Sequence, residues 1–81
     1  KNEIEFFPNP TNDRLTILLK EFNGEKQMFL VYDVNGKIIH SETINKTRTE
    51  FNTQLIKEGI YFLILKDENR TLINQKLIIK H

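Results

Sequence analysis

No run of apolar residues in this chain is longer than six, Ile60 to Leu65. Each run is short, rich in Ile, Leu, Phe, Tyr and Val, and closed by a cluster of turn residues. Such runs, recurring at intervals of roughly 8–12 residues, are the pattern of an all-β sandwich or barrel. Seven candidate strands follow: Ile4–Phe7, Arg14–Lys20, Gln27–Asp33, Lys37–Ile44, Arg48–Thr53, Ile60–Lys66 and Leu72–Lys80. The same ceiling on run length excludes a membrane-spanning helix, which needs about 20 apolar residues.

Period-two alternation says which side chains face a core. Leu15, Ile17 and Leu19 alternate with Arg14, Thr16, Leu18 and Lys20, and in the last strand Ile73, Leu77 and Ile79 share one parity with Gln75. Residues of one parity share a face of a sheet, so these sets point inward. Met28–Tyr32 and Ile60–Leu65 are apolar on both faces. Each is therefore central to a sandwich or covered by a partner.

The turns have identifiable chemistry. Asn35-Gly36 and Asn23-Gly24 are hairpin signals, because Asn and Gly both accept positive φ. Asp67-Glu68-Asn69-Arg70 joins the last two strands. Pro8 and Pro10 cannot donate ladder hydrogen bonds and end the first strand. Asn9, which precedes a proline, is held extended, and Asn12 and Asp13 can cap their own backbone as an Asx turn. A single helical turn fits Thr53–Glu58, with Phe51 and Leu55 four apart and Gly59 ending it.

Length and composition narrow the function. Eighty-one residues make one domain, residues 1–81. It opens at Lys1 with no Met and no signal peptide, as the tail piece of a longer protein would. A net charge of +1 supplies no field for nucleic acid. The chain has no cysteine, which removes thiolate catalysis and a disulfide framework. His40 and His81 are the only histidines and Ser41 the only serine, with no base at an activating spacing. Asp33-Val34-Asn35-Gly36 resembles the start of a calcium loop, yet Lys37, Ile38, Ile39 and His40 follow where oxygen ligands are needed. The reading is a hairpin turn, no metal, no cofactor and no enzyme. Asn45-Lys46-Thr47 and Asn69-Arg70-Thr71 match the glycosylation sequon, as chance allows in a chain rich in Asn and Thr. The last twelve residues carry Arg70, Lys76 and Lys80 and no acid. That strip is a solvated edge, where Lys discourages stray pairing, or a docking surface.

Four groups of residues occur in order: Phe7, Pro8, Asn9 and Pro10; Tyr32, Asp33, Gly36 and Lys37; Gly59 and Tyr61; and Lys76, Ile78, Ile79 and Lys80. Over nearly the whole chain this set resembles the type A C-terminal sorting domain of the type IX secretion system of Bacteroidetes. The family pattern places a Leu three residues before the Gly. Here Ile56 holds that place and Leu55 comes one residue early.

The resemblance implies an immunoglobulin-like antiparallel sandwich of about seven strands. At its corner Tyr61 sends its hydroxyl to the backbone upstream, with Leu55 or Ile56 as the buried anchor. It also implies a sorting signal that passes through the periplasm and directs its parent across the outer membrane, to the cell surface or the medium. The expected partners are translocon components and a sortase-like cysteine protease that removes the domain for anchoring or release. The domain itself is expected to be a monomer without a small-molecule substrate. Gly59, Tyr61, Lys76, Ile78, Ile79 and Lys80 are the expected docking residues, and the first two groups are structural. The alternative is an accessory adhesion or carbohydrate-binding module of the same fold. Against it, the chain has no Trp and two Tyr, both in apolar strands.

Overall fold

A computed structural model of the chain describes residues 4–20 and 26–81. Its strands are β1 (Ile4–Phe7), β2 (Arg14–Leu19), β3 (Gln27–Tyr32), β4 (Ile38–Ile44), β5 (Arg48–Asn52), β6 (Gly59–Lys66) and β7 (Thr71–Ile79). They form two antiparallel sheets, one ordered β1-β2-β5 and the other β4-β3-β6-β7. This is an immunoglobulin-like sandwich of seven strands.

The alternation read from the sequence decides the core. Leu15, Ile17 and Leu19 of β2 and Phe51 of β5 meet Phe29, Val31, Leu63, Leu65, Leu77 and Ile79 from the other sheet, all 5% exposed or less. Burying each such side chain contributes about 1.5–3 kcal/mol. Ile4, Phe6, Ile56 and Ile73 pack around this cluster. β3 and β6 are the central strands of the four-stranded sheet, which explains their apolar character on the inner face. Their outer face is only partly covered, with Ile60 47% and Phe62 37% exposed.

Three turns differ from the sequence reading. At 33–37 the loop has three residues. Asp33 N–H bonds Lys37 O at 2.9 Å, Gly36 N–H bonds Asp33 O at 3.0 Å, and φ is positive at Gly36 alone. This is a type I turn closed by a left-handed glycine, and the register shift between Val31 and Tyr32 goes with it. The Asp33 carboxylate dictates that choice by accepting from the Asn35 and Lys37 N–H groups, both at 2.9 Å.

At 53–58 there is one turn, Ile56 N–H to Thr53 O at 3.1 Å, and it does not propagate as a helix. Asn52 Oδ1 takes the Gln54 N–H, a local bond that competes with helix formation. Leu55 is 98% exposed, so Ile56 is the anchor and the Phe51–Leu55 spacing carries no contact. At the third, the Asn12 carboxamide meets His81 Nδ1 at 3.2 Å instead of its own backbone. The Asx turns fall on Asp33, Asn52 and Asp67. The Asn23-Gly24 turn lies outside the described residues.

Candidate functional site

The end of the sandwich that carries the four motifs is built from chain segments distant in sequence. Tyr32 pairs with Phe62, and Gly59 pairs with Ile79, so the 33–37 turn, the 55–59 loop and the end of β7 lie together. The stretch after β1 joins them. Pro8 and Pro10 end β1 at Phe7, and the chain then leaves the three-stranded sheet for the edge of β7.

That crossing closes the β7 edge. Thr11 forms a parallel bridge with Ile79, with Thr11 N–H bonding Ile78 O at 2.9 Å and Lys80 N–H bonding Thr11 O at 2.8 Å. Asn9 clasps the adjoining stretch: its Nδ2 donates to Lys76 O at 3.0 Å, and its Oδ1 accepts from Ile78 N–H at 3.0 Å. Thr11 is 1% exposed, and its hydroxyl donates to Arg14 O at 2.7 Å. Between Lys76 and Lys80 the edge of the last strand is therefore occupied from within the chain. A partner strand cannot add there by backbone pairing, because that pairing needs free N–H and C=O groups.

The corner is held by Tyr61. Its ring is 8% exposed, and its hydroxyl donates to Lys57 O at 2.5 Å, four residues upstream. This is the tyrosine corner expected from the sequence. His81 fastens the same loop, with its N–H on Glu58 Oε1 at 2.9 Å and Nε2 beside Ile56 O at 2.8 Å.

The six residues expected to dock separate into two kinds. Tyr61 and Ile79 are buried and shape the site from beneath; Gly59 is half-buried and opens β6. Lys76, Ile78 and Lys80 alternate with Leu77 and Ile79, so they face outward. Of the structural motif, Phe7, Pro8, Asn9, Pro10, Gly36 and Lys37 are exposed, and Tyr32 and Asp33 are half-buried. Sequence reasoning missed the Asn9 clasp and Thr11. It also missed His40, which bonds Glu42 at 2.9 Å and stacks on Phe51 at 4.3 Å. The polar letters His40 and Glu42 gave no sign that this parity faces inward.

At the opposite end, the Asp67 carboxyl is held below its ordinary value of 3.8. The cause is hydrogen bonding from the N–H groups of Asn69 and Arg70, at 2.8 and 3.0 Å. Among the described residues no three His, Cys, Asp or Glu gather as metal ligands. No described helix is long and apolar enough to cross a membrane.

The family described as the secretion system C-terminal sorting domain matches residues 5–80 of this chain. The chain belongs to that family. A sorting domain of the type IX system addresses that secretion machinery, and its route leads across the outer membrane to the cell surface or the medium. Two relatives, both from Bacteroidetes, share the region. An endo-acting ulvan lyase of Formosa agariphila is 34% identical over 80 residues, covering 98% of this chain and 15% of that protein. A funoran endo-beta-hydrolase of Wenyingzhuangia aestuarii is 22% identical over 73 residues, covering 90% of this chain and 10% of that protein. The chain thus spans only a small part of the relatives it matches.

Proposed function

We propose that residues 1–81 are a single, non-catalytic sorting domain on a longer exported protein, recognised folded and then removed on its N-terminal side. The observation that carries this is the pattern of matches. Two proteins named for different activities, a lyase and a hydrolase, share this stretch, and it makes up 15% and 10% of them. A segment common to different activities is not the segment that performs either. The parent on this reading acts on a polysaccharide, as the names of both relatives suggest.

The domain works as a monomer and takes no cofactor and no small-molecule substrate. It meets two partners, the translocon and a sortase-like cysteine protease that cleaves ahead of the sandwich. Lys76, Ile78 and Lys80 meet the translocon with their side chains, while Gly59, Tyr61 and Ile79 hold the corner and strand that present them. The proline-flanked Asn9 holds the last strand in place at the same end of the domain.

The test is the mass of an exported fusion. A periplasmic reporter carrying residues 1–81 at its C-terminus, recovered from the surface or medium of a host with the type IX system, should lack the mass of the domain. Recovery of the intact fusion would contradict removal. Export undiminished after deletion of Lys76–His81 would contradict the part given to the last strand.

A further inference from the structure

The two outer faces of the sandwich are chemically unlike. On the three-stranded sheet, Arg14, Arg48 and Glu50 stand outward and pair with one another, Arg14 to Glu50 at 3.4 Å and Arg48 to Glu50 at 3.3 Å. Mixed charge of that kind is a solvated face. On the four-stranded sheet the outward positions are fixed by register: Leu30 opposite Ile64, Tyr32 opposite Phe62, and Ile60 opposite Ile78. These six residues form one apolar field across β3, β6 and β7. Ile60 and Phe62 are 47% and 37% exposed, and Ile38, next to Tyr32 in register, is 51% exposed.

The strand positions of that face carry charge of one sign, while the loops at its two ends carry Glu58, Asp67 and Glu68. Lys66 lies opposite Met28 and Lys76 opposite Phe62; just past the strand ends, Lys26 lies beside Asp67 and Glu68, and Lys80 and Glu58 continue the same parity. Among the described residues, the outward positions of β3, β4, β6 and β7 hold no Asp or Glu, and neither Lys66 nor Lys76 is in an ion pair. An apolar centre with a polar rim is the anatomy of a protein interface. Two copies meeting through the strand positions of this face would bring Lys66 and Lys76 of one against those of the other, which disfavours a second copy as the occupant. Ile60 and Phe62 are partly covered and belong to a packed sheet face, without the projecting apolar helix by which a protein lies in a membrane surface. The β7 edge from Lys76 to Lys80 is already occupied. Side chains on the face are left as the means of recognition at that strand.

We propose that the outer face of the four-stranded sheet, centred on Phe62 and Ile60, docks an apolar protein surface edged with carboxylates on the secretion machinery. The inference rests on the sorting function of the domain and names the surface that performs it. Phe62 and Ile60 provide the buried centre, and Lys66 and Lys76 meet the carboxylates and speed encounter.

The test uses residues 1–81 fused to a periplasmic reporter, in a host with the type IX system and in the same host lacking its translocon. Phe62→Lys should cut surface and medium reporter at least tenfold. Lys76→Glu, which changes no core contact, should cut it severalfold, and Arg48→Glu on the other sheet should leave it unchanged. Circular dichroism and melting establish that each variant folds. If Phe62→Lys unfolds, Lys76→Glu and Lys66→Glu decide. Normal export of folded Phe62→Lys and Lys76→Glu, with the unaltered fusion exported, overturns the docking face and leaves the sorting function standing. No export of the unaltered fusion overturns both. The unaltered chain should be monomeric in sedimentation equilibrium at about 100 μM, and should not co-sediment with vesicles of phosphatidylcholine and phosphatidylglycerol. A dimer abolished by Phe62→Lys would replace the protein partner with a second copy, and vesicle binding abolished by it would replace that partner with an anionic membrane.

Discussion

The hydroxyl of Tyr61 holds the corner, donating to Lys57 O from a side chain that is 8% exposed. A residue so placed stabilises the 55–59 loop from below and offers no surface to a partner. Tyr61→Phe removes only the hydroxyl and leaves the Lys57 carbonyl without its donor. Chemical denaturation should show a loss of about 1–3 kcal/mol, with an unchanged denaturant slope, and a loss of a few tenths would show the bond is not made. Tyr61 was legible because the Gly-Ile-Tyr corner has a local spacing.

Asp67 gives a pH dependence. Its carboxyl, lowered by the N–H groups of Asn69 and Arg70, binds its proton less readily folded than unfolded. The stability it adds is present above the unfolded value and lost as pH falls through the folded one. Asp67→Ala should therefore lower the melting temperature at pH 6, and the gap from the unaltered chain should narrow as pH drops below about 4. A gap constant from pH 6 to pH 2 would contradict this. His40 escaped the sequence reading because its fit depends on Phe29 and Phe51, on other strands. Nothing local to Ile39-His40-Ser41 records that contact.

Among the elements, all seven strands were legible, and their ends fall within a residue of the expectation. Short apolar runs closed by Asn, Gly, Pro and Asp leave little freedom in where a strand begins or stops. The irregularities were not legible. The register shifts at Val31/Tyr32 and Leu65/Lys66 arise from how a strand fits its neighbour, which parity within one strand does not encode. The clasp on β7 was also out of reach, since Asn9 and Lys76 are 67 residues apart. Asn9→Ala would remove both of its bonds to the last strand. Amide exchange should then accelerate at Ile78, whose N–H bonds Asn9 Oδ1, and stay slow at Leu65 in the sheet centre. Protection of Ile78 unchanged by the substitution would mean the clasp is not formed in solution.

For the whole molecule, turn spacing and alternation were enough to give the class of fold, because a two-sheet sandwich is what buries one face of seven short strands. They were not enough to say which outer face stays apolar. Ile60, Phe62 and Ile64 look like the core of a central strand until the order β4-β3-β6-β7 shows that they lie on the outer face, where Ile60 and Phe62 stay 47% and 37% exposed. The function was legible in the order of four motifs, and the fold explains why they travel together: all four come to one end of the sandwich. A domain of this size has about 4–12 kcal/mol of stability, a small margin for the proposed recognition as a folded unit.

Export of a passenger separates a sorting domain from a module that merely accompanies one. Residues 1–81 joined to the C-terminus of a periplasmic reporter should move that reporter to the surface or medium of a type IX host, and leave it in the periplasm of the same host without the translocon. A reporter that stays in the periplasm of the intact host, or leaves equally well without the translocon, would contradict the sorting function and favour an accessory adhesion or carbohydrate-binding module.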